Sequence, residues 1–272
     1  MKIGSQAHRS SAISASNEAT VLVRGRDLCA ELIGRISFTD HVWLLITGEM
    51  PREAQRRVLD AVLVAIAEHG LTPSVQASRM TLAAAPEALQ GAVAAGILGC
   101  GSVILGAAEN AGRLLQEVIE RADGAALEAA AREVVQERCA VGRMVPGYGH
   151  PLHKESDPRA QRLFAVAREV DVAGRCMQAS LAIERVLPQI TGKPLAMNVS
   201  AAIAAVLLDA GFPQLALKGA PILARTASLI AHLLEEQSRP IGFVLSHAGA
   251  AAIEYDGPAP AGFTRTDQQD AS

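Results

Sequence analysis

Residues 147–160, GYGHPLHKESDPRA, gather two histidines, a lysine, an arginine and two acidic side chains in a chain that is otherwise 50% hydrophobic. His150 stands between Gly149 and Pro151, and Asp157-Pro158-Arg159 opens a helix. A histidine can polarise a carbonyl, and an arginine at a helix start can hold a carboxylate through two parallel hydrogen bonds. Such a pair suits a small keto acid or hydroxy acid. A zinc site fits less well. Gly147, Gly149, Pro151 and Pro158 interrupt any helix, so His150 and His153 do not share a helical face, and a third ligand would have to fold back from Glu155 or Asp157. The plainer alternative is a solvated surface loop.

The elements that must position these residues read as helices. Leu59, Leu63 and Ile66 repeat at helical spacing after Pro51, and Leu114, Leu115, Val118 and Ile119 form a similar stripe preceded by Gly112. A further helix is expected over 125–141. Later stripes run through Leu163, Ala167 and Val170, then Met177, Leu181, Ile183 and Val186, then Ile203, Val206 and Leu207, then Ile222, Leu229 and Leu233. Gly174, Pro188, Gly192, Gly211 and Gly219 punctuate them. Residues 19–25, ATVLVRG, predict one short strand or hairpin. Residues 256–272 lose periodicity and predict a mobile tail.

Composition narrows the function classes. A formal net charge of -3 with mixed signs leaves no basic stripe for nucleic acid. Cys29, Cys100, Cys139 and Cys176 lie far apart with no CxxC pair, which predicts reduced thiols and a cytoplasmic protein. The polar start of the chain has no secretory pattern. Residues 89–108 carry no charge and are long enough to span a bilayer. Their five glycines, Gln90 and the flanking Glu87 and Glu109 instead favour a closely packed core segment over a membrane span.

The segment at 147–160 resembles the GxGHxxYKxxDPR signature of the citrate synthase superfamily, and the chain is closest in pattern to citryl-CoA lyases and the citryl-CoA lyase domain of ATP-citrate lyase. Residues 23–51, VRGRDLCAELIGRISFTDHVWLLITGEMP, are similar to the family's RGxxxxxL…SFxxVxxLLxxGxxP region. AEHG at 67–70 resembles its ADHG or ADHE motif, KPLAMNVSAAIAAVLLDAGFP at 193–213 its NVD-bearing helix, and ARTASLIAH at 224–232 its later arginine-bearing helix. The resemblance implies an all-α fold with a large helical part, 1–142 and 200–255, and a small one, 143–199. It also implies a homodimer, a coenzyme A thioester as substrate and no permanently bound cofactor.

Carried over, His69, His150, Arg159 and Arg225 would hold the carboxylates and the reacting oxygen of a citrate-like substrate. Lys154, Lys193 and Lys218, with Arg143 a weaker candidate, would meet the coenzyme phosphates. Three positions depart from the family. Leu105 stands where the synthase has the histidine that stabilises the acetyl-CoA enol, which favours lyase over synthase. Pro151 replaces an arginine. Ser200 occupies the place of the catalytic aspartate, and a serine hydroxyl is a poor base unless another group activates it; His153, where the family often has Tyr, is the candidate replacement. The expected activity is cleavage of citryl-CoA, or a related carboxylated 3-hydroxyacyl-CoA, to acetyl-CoA and a keto acid such as oxaloacetate. The alternatives are synthase-type condensation and a non-catalytic protein that binds coenzyme A or an organic acid.

Overall fold

The computed structural model describes residues 10–101, 105–122, 126–149 and 155–262. His150, Pro151, His153 and Lys154 lie outside the described residues, as does 263–272. The described structure is helical apart from one small antiparallel sheet of β1 (Ser14–Ser16), β2 (Val21–Val23) and β3 (Arg26–Asp27). Val23 pairs with Arg26, and the two residues between them, Arg24 and Gly25, both take positive φ. That is the backbone a two-residue hairpin needs. The expected strand is therefore β2 of a hairpin, and it gains a second partner, β1, from a stretch too polar to read as a strand.

A one-turn π-helix, Leu28–Leu32, follows the sheet. The α-helices are α1 (Phe38–Thr47), α2 (Glu53–Ala67), α3 (Pro73–Ala84), α4 (Leu89–Leu98), α5 (Ala107–Ala122) and α6 (Leu127–Ala140). They continue with α7 (Pro158–Glu169), α8 (Arg175–Thr191), α9 (Val199–Asp209), α10 (Gly219–Ser238) and α11 (Gly242–Ala252). Packing contacts divide the chain into two compact units, Met1–Ala67 with Ser102–Ala224, and Glu68–Gly101 with Arg225–Ser272. These boundaries cut the chain at other places than the parts expected from the resemblance, because α7 and α8 both pack on α9.

In the first unit α9 is the centre. Val199 and every residue from Ala201 to Leu207 are buried, and α2, α5, α7 and α8 pack around it. A helix apolar on all sides has to be surrounded in this way, and its alanines let the neighbours approach. Trp43 and Phe212 meet at 5.4 Å between ring centroids. Two expected breaks fall inside helices. Gly112 lies within α5, where a Cβ would come 2.4 Å from Leu217 Cδ1, so the missing side chain serves packing. Pro188 lies in the last turns of α8, where Gly192, at φ 68, ends the helix by donating its N–H to the Pro188 carbonyl at 3.0 Å.

In the second unit α3 packs on α4 and on α11. Periodicity gave no sign of α3, because its buried face is Ser74, Val75, Ser78, Arg79 and Leu82 rather than an apolar stripe. The uncharged segment 89–108 is not one helix. Its first part is α4, which buries Ala92 and Gly96 and leaves Leu89 and Leu98 exposed, so only one edge of it is core. Among the described residues no helix is long and apolar enough to cross a membrane.

Candidate active site

Two short stretches that carry the motif residues meet in the first unit. Tyr148 and Met197 make an antiparallel bridge, the Gly149 N–H donates to the Ala196 carbonyl at 2.8 Å, and the Asn198 N–H donates to the Gly147 carbonyl at 2.9 Å. Gly147 has φ 91 and a hypothetical Cβ only 2.6 Å from the Ala201 Cβ, so only glycine lets this loop lie on the first turn of α9. The Asn198 side chain links both ends of the junction: Nδ2 donates to the Gly149 carbonyl and Oδ1 accepts from the Ser200 N–H, each at 2.9 Å. Below, the buried Tyr148 hydroxyl donates to the Ser180 carbonyl at 2.8 Å, and burial, aided by the Glu184 charge, pushes its phenol well above the usual range. Glu184 in turn accepts from the Met197 N–H at 2.7 Å.

Asp157 joins the two helices that start here. It caps α7 and is 1% exposed. Oδ1 accepts from the Arg159 N–H and Nε, both at 3.0 Å, while Oδ2 accepts from Arg159 Nη2 and the Val199 N–H, both at 2.9 Å. Burial alone would raise this carboxyl, but the bonds and charge of Arg159, with the Val199 N–H, outweigh it and hold the group below the usual aspartate value. With four donors on its two oxygens, Asp157 is an anchor and has no lone pair to spare as a base. One edge of the Arg159 guanidinium is thereby fixed, and its other N–H groups make no bond to the described residues. Those donors can meet a ligand carboxylate.

The expected residues separate accordingly. Arg159 and the half-buried Ser200 sit on the first turns of α7 and α9, which Asp157 ties together. Arg225, 2% exposed on α10, and His69, exposed in the turn after α2, belong to the second unit. There the Ser228 hydroxyl, one turn along α10 from Arg225, donates to the Glu68 carboxylate. Leu105 is buried with φ 65, a left-handed backbone that a leucine adopts at a cost. Lys193 is exposed just past α8, and Lys218 is half-buried just before α10.

Beside Asp157 a cavity of about 410 Å³ opens, lined among others by Gln161, Phe164, Arg168, Glu184 and Met197. Its volume suits part of a small-molecule ligand. Neither Lys193 nor Lys218 is among its lining residues. No group of acidic, histidine or cysteine side chains arranged to hold a metal occurs among the described residues. Sequence reasoning missed Asn198, Glu184 and the anchoring role of Asp157. The available signals were an Asp directly before a Pro and an Asn directly before an apolar run, both helix-start patterns.

Comparison with known proteins matches residues 37–242 to the model of the citrate synthase C-terminal domain. The citrate synthase of Haloferax volcanii is 29% identical over 195 residues, which is 71% of this chain and 49% of that protein. The chain spans about half the length of the curated relatives it matches, 49% and 47% for two of them. The citryl-CoA lyase of Hydrogenobacter thermophilus superposes with a TM-score of 0.82 at 31% identity, covering 94% of this chain and 97% of that one. The ATP citrate lyase of Methanosaeta concilii, solved with (3S)-citryl-CoA, has the same fold at a TM-score of 0.73 and 23% identity, covering 92% of this chain and 42% of that one.

Proposed function

The chain belongs to the citrate synthase family, and on that premise we propose that it cleaves citryl-CoA, or a closely related carboxylated 3-hydroxyacyl-CoA, to acetyl-CoA and oxaloacetate or a related keto acid. The observation that carries the reading is Arg159, clamped by the buried Asp157 at the junction of α7 and α9, with further donors that make no bond to the described residues and can meet a carboxylate. The likeness in length and fold to a citryl-CoA lyase supports the direction of reaction.

In this mechanism Arg159 and Arg225 hold the carboxylates and His69 holds the reacting oxygen. His150 removes the proton of the substrate hydroxyl as the carbonyl forms. The bond between that carbon and the methylene next to the thioester breaks, its electron pair becomes the enolate of acetyl-CoA, and a proton from the acid that replaces the family aspartate completes the product. His153 is our candidate for that acid, and Ser200 can pass the proton only if a neighbouring group activates it. Asp157 cannot serve, since its oxygens are already occupied. Lys154, Lys193 and Lys218 are proposed to meet the phosphates of coenzyme A. The assembly is proposed to be a homodimer and its location cytoplasmic.

Ser200 also favours a second reading, a protein that keeps the binding half of the site and has lost turnover. The two readings separate on Ser200→Asp. If wild-type protein cleaves citryl-CoA and His150→Ala abolishes it, the lyase stands; if only Ser200→Asp turns over while wild type binds the thioester in calorimetry, the second reading replaces it.

A further inference from the structure

We propose that His232 and Glu68 are positioning residues for His69, forming a clamp that holds the turn carrying His69 onto the helix carrying Arg225. The clamp lies wholly in the second unit. Its role in substrate binding rests on the reading of His69 as a substrate-holding residue.

The turn after α2 is short, and the Glu68 side chain spans it. The carboxylate reaches over His69 to accept from the Gly70 N–H, and its other oxygen accepts from the Ser228 hydroxyl and lies 3.0 Å from His232 Nε2. Gly70 has φ 72, and its carbonyl accepts from the Thr72 N–H at 2.8 Å, where α3 begins. His69 therefore sits between two residues whose orientation is set by one side chain. Arg225, Ser228 and His232 follow one another on one face of α10 at helical spacing. What grips Glu68 thus also fixes its register against Arg225.

The geometry also says which way the His232 ring faces. Its Nδ1 lies 3.4 Å from Arg79 Nη1. A guanidinium only donates, so Nδ1 is the nitrogen placed to accept, and Nε2 is the one directed at Glu68. Arg79 is itself immobilised: it is 2% exposed, with Nε on Glu236 at 2.6 Å, Nη1 on Glu235 at 2.8 Å and Nη2 on the Arg239 carbonyl at 3.1 Å. The buried pair of Arg79 and Glu236 is a fixed base from which Arg79, His232 and Glu68 act in sequence on the His69 turn. Burial opposes the charge on Glu68, yet the bonds from Ser228, Gly70 and His232 leave its carboxyl below the usual glutamate range, so it is ionised when it makes the clamp.

The test uses full-length protein labelled with 15N in its histidines, with the His69 ring signals assigned by their loss in His69→Gln. In His232→Leu the His69 signals are expected to shift and broaden, and in His232→Gln, which restores an N–H donor toward Glu68, to return toward their wild-type positions. The KM for citryl-CoA is expected to rise about tenfold in His232→Leu with kcat within about threefold, and to recover in His232→Gln. Glu68→Ala, at a half-exposed position, gives the same readings if His232→Leu fails to fold. Unchanged His69 signals in these variants overturn the clamp whether or not the protein turns over citryl-CoA. Moved signals with an unchanged KM keep the clamp and remove His69 from substrate binding instead.

Discussion

A carboxylate with no free lone pair can still decide where a cation stands, and Asp157 does so for Arg159. Its burial means that a variant leaves either a guanidinium without its counter-charge or a polar amide facing donors. Asp157→Asn is accordingly expected to destabilise the protein by about 3–5 kcal/mol, the usual cost of breaking a buried pair from one side, seen as a lower midpoint in urea unfolding. Arg159→Lys is expected to cost much less stability, since Lys keeps the charge, but to lose the two-point grip. Equal stabilities for Asp157→Asn and wild type would show that the anchor contributes nothing. The motifs alone pointed to Arg159 and Ser200 as candidates, and both lie on the first turns of helices that Asp157 joins. The bond from Asp157 to the Val199 N–H was not legible, since it joins positions 42 residues apart and exists only once α7 lies on α9.

Glycine and proline were uneven guides at the scale of elements: Gly174 and Gly192 cap the two ends of α8 and Gly219 begins α10. They were read as punctuation, yet Gly112 and Pro188 lie inside helices, because neighbouring residues rather than local preference decided those positions. The glycines of α4 divide in the same way. A Cβ on Gly96 would come 2.7 Å from Leu229 Cδ1 and 2.9 Å from the Ser74 carbonyl, whereas one on Gly91 would meet only the Ala88 Cβ at 3.5 Å. Gly96→Ala is expected to destabilise by about 1–3 kcal/mol through overpacking. Gly91→Ala is expected to stabilise by roughly 0.5–1 kcal/mol through helix propensity. Thermal unfolding of the two variants checks the opposite signs, and a shift of both in one direction would contradict the packing described for α4. Most helices with apolar stripes were foreseen; α1, α3 and α11 were not, and in α3 Arg79 is buried in the middle of the inner face and compensated by Glu235 and Glu236 of α10.

Over the whole molecule, both units rely on carboxylates that are easier to ionise in the folded state than in the unfolded chain. Asp157 in the first unit and Glu236 in the second are each penalised by burial but held low by an arginine and backbone N–H groups. A carboxyl whose folded value is depressed stabilises fully above its unfolded value and loses that contribution as pH falls through the folded one. Unfolding temperature is therefore expected to stay nearly level from about pH 8 to 5 and to fall as pH drops below about 4, where unfolded carboxyls begin to bind protons. A fall that begins above pH 6 would assign the acid sensitivity to histidines instead. The family and the helical class were legible in the sequence because several motifs occur in order along nearly the whole chain. The reaction was less legible, because Leu105 and Ser200 depart from the motifs that the chain otherwise follows. The most direct test is to incubate purified full-length protein with citryl-CoA and follow acetyl-CoA and oxaloacetate by mass spectrometry, beside an Arg159→Ala variant. Our account predicts that wild type forms both products and that the variant loses at least about a hundredfold in kcat/KM, roughly the loss of one charge-assisted grip on the transition state; intact citryl-CoA in the wild-type reaction, with binding still present, would contradict it.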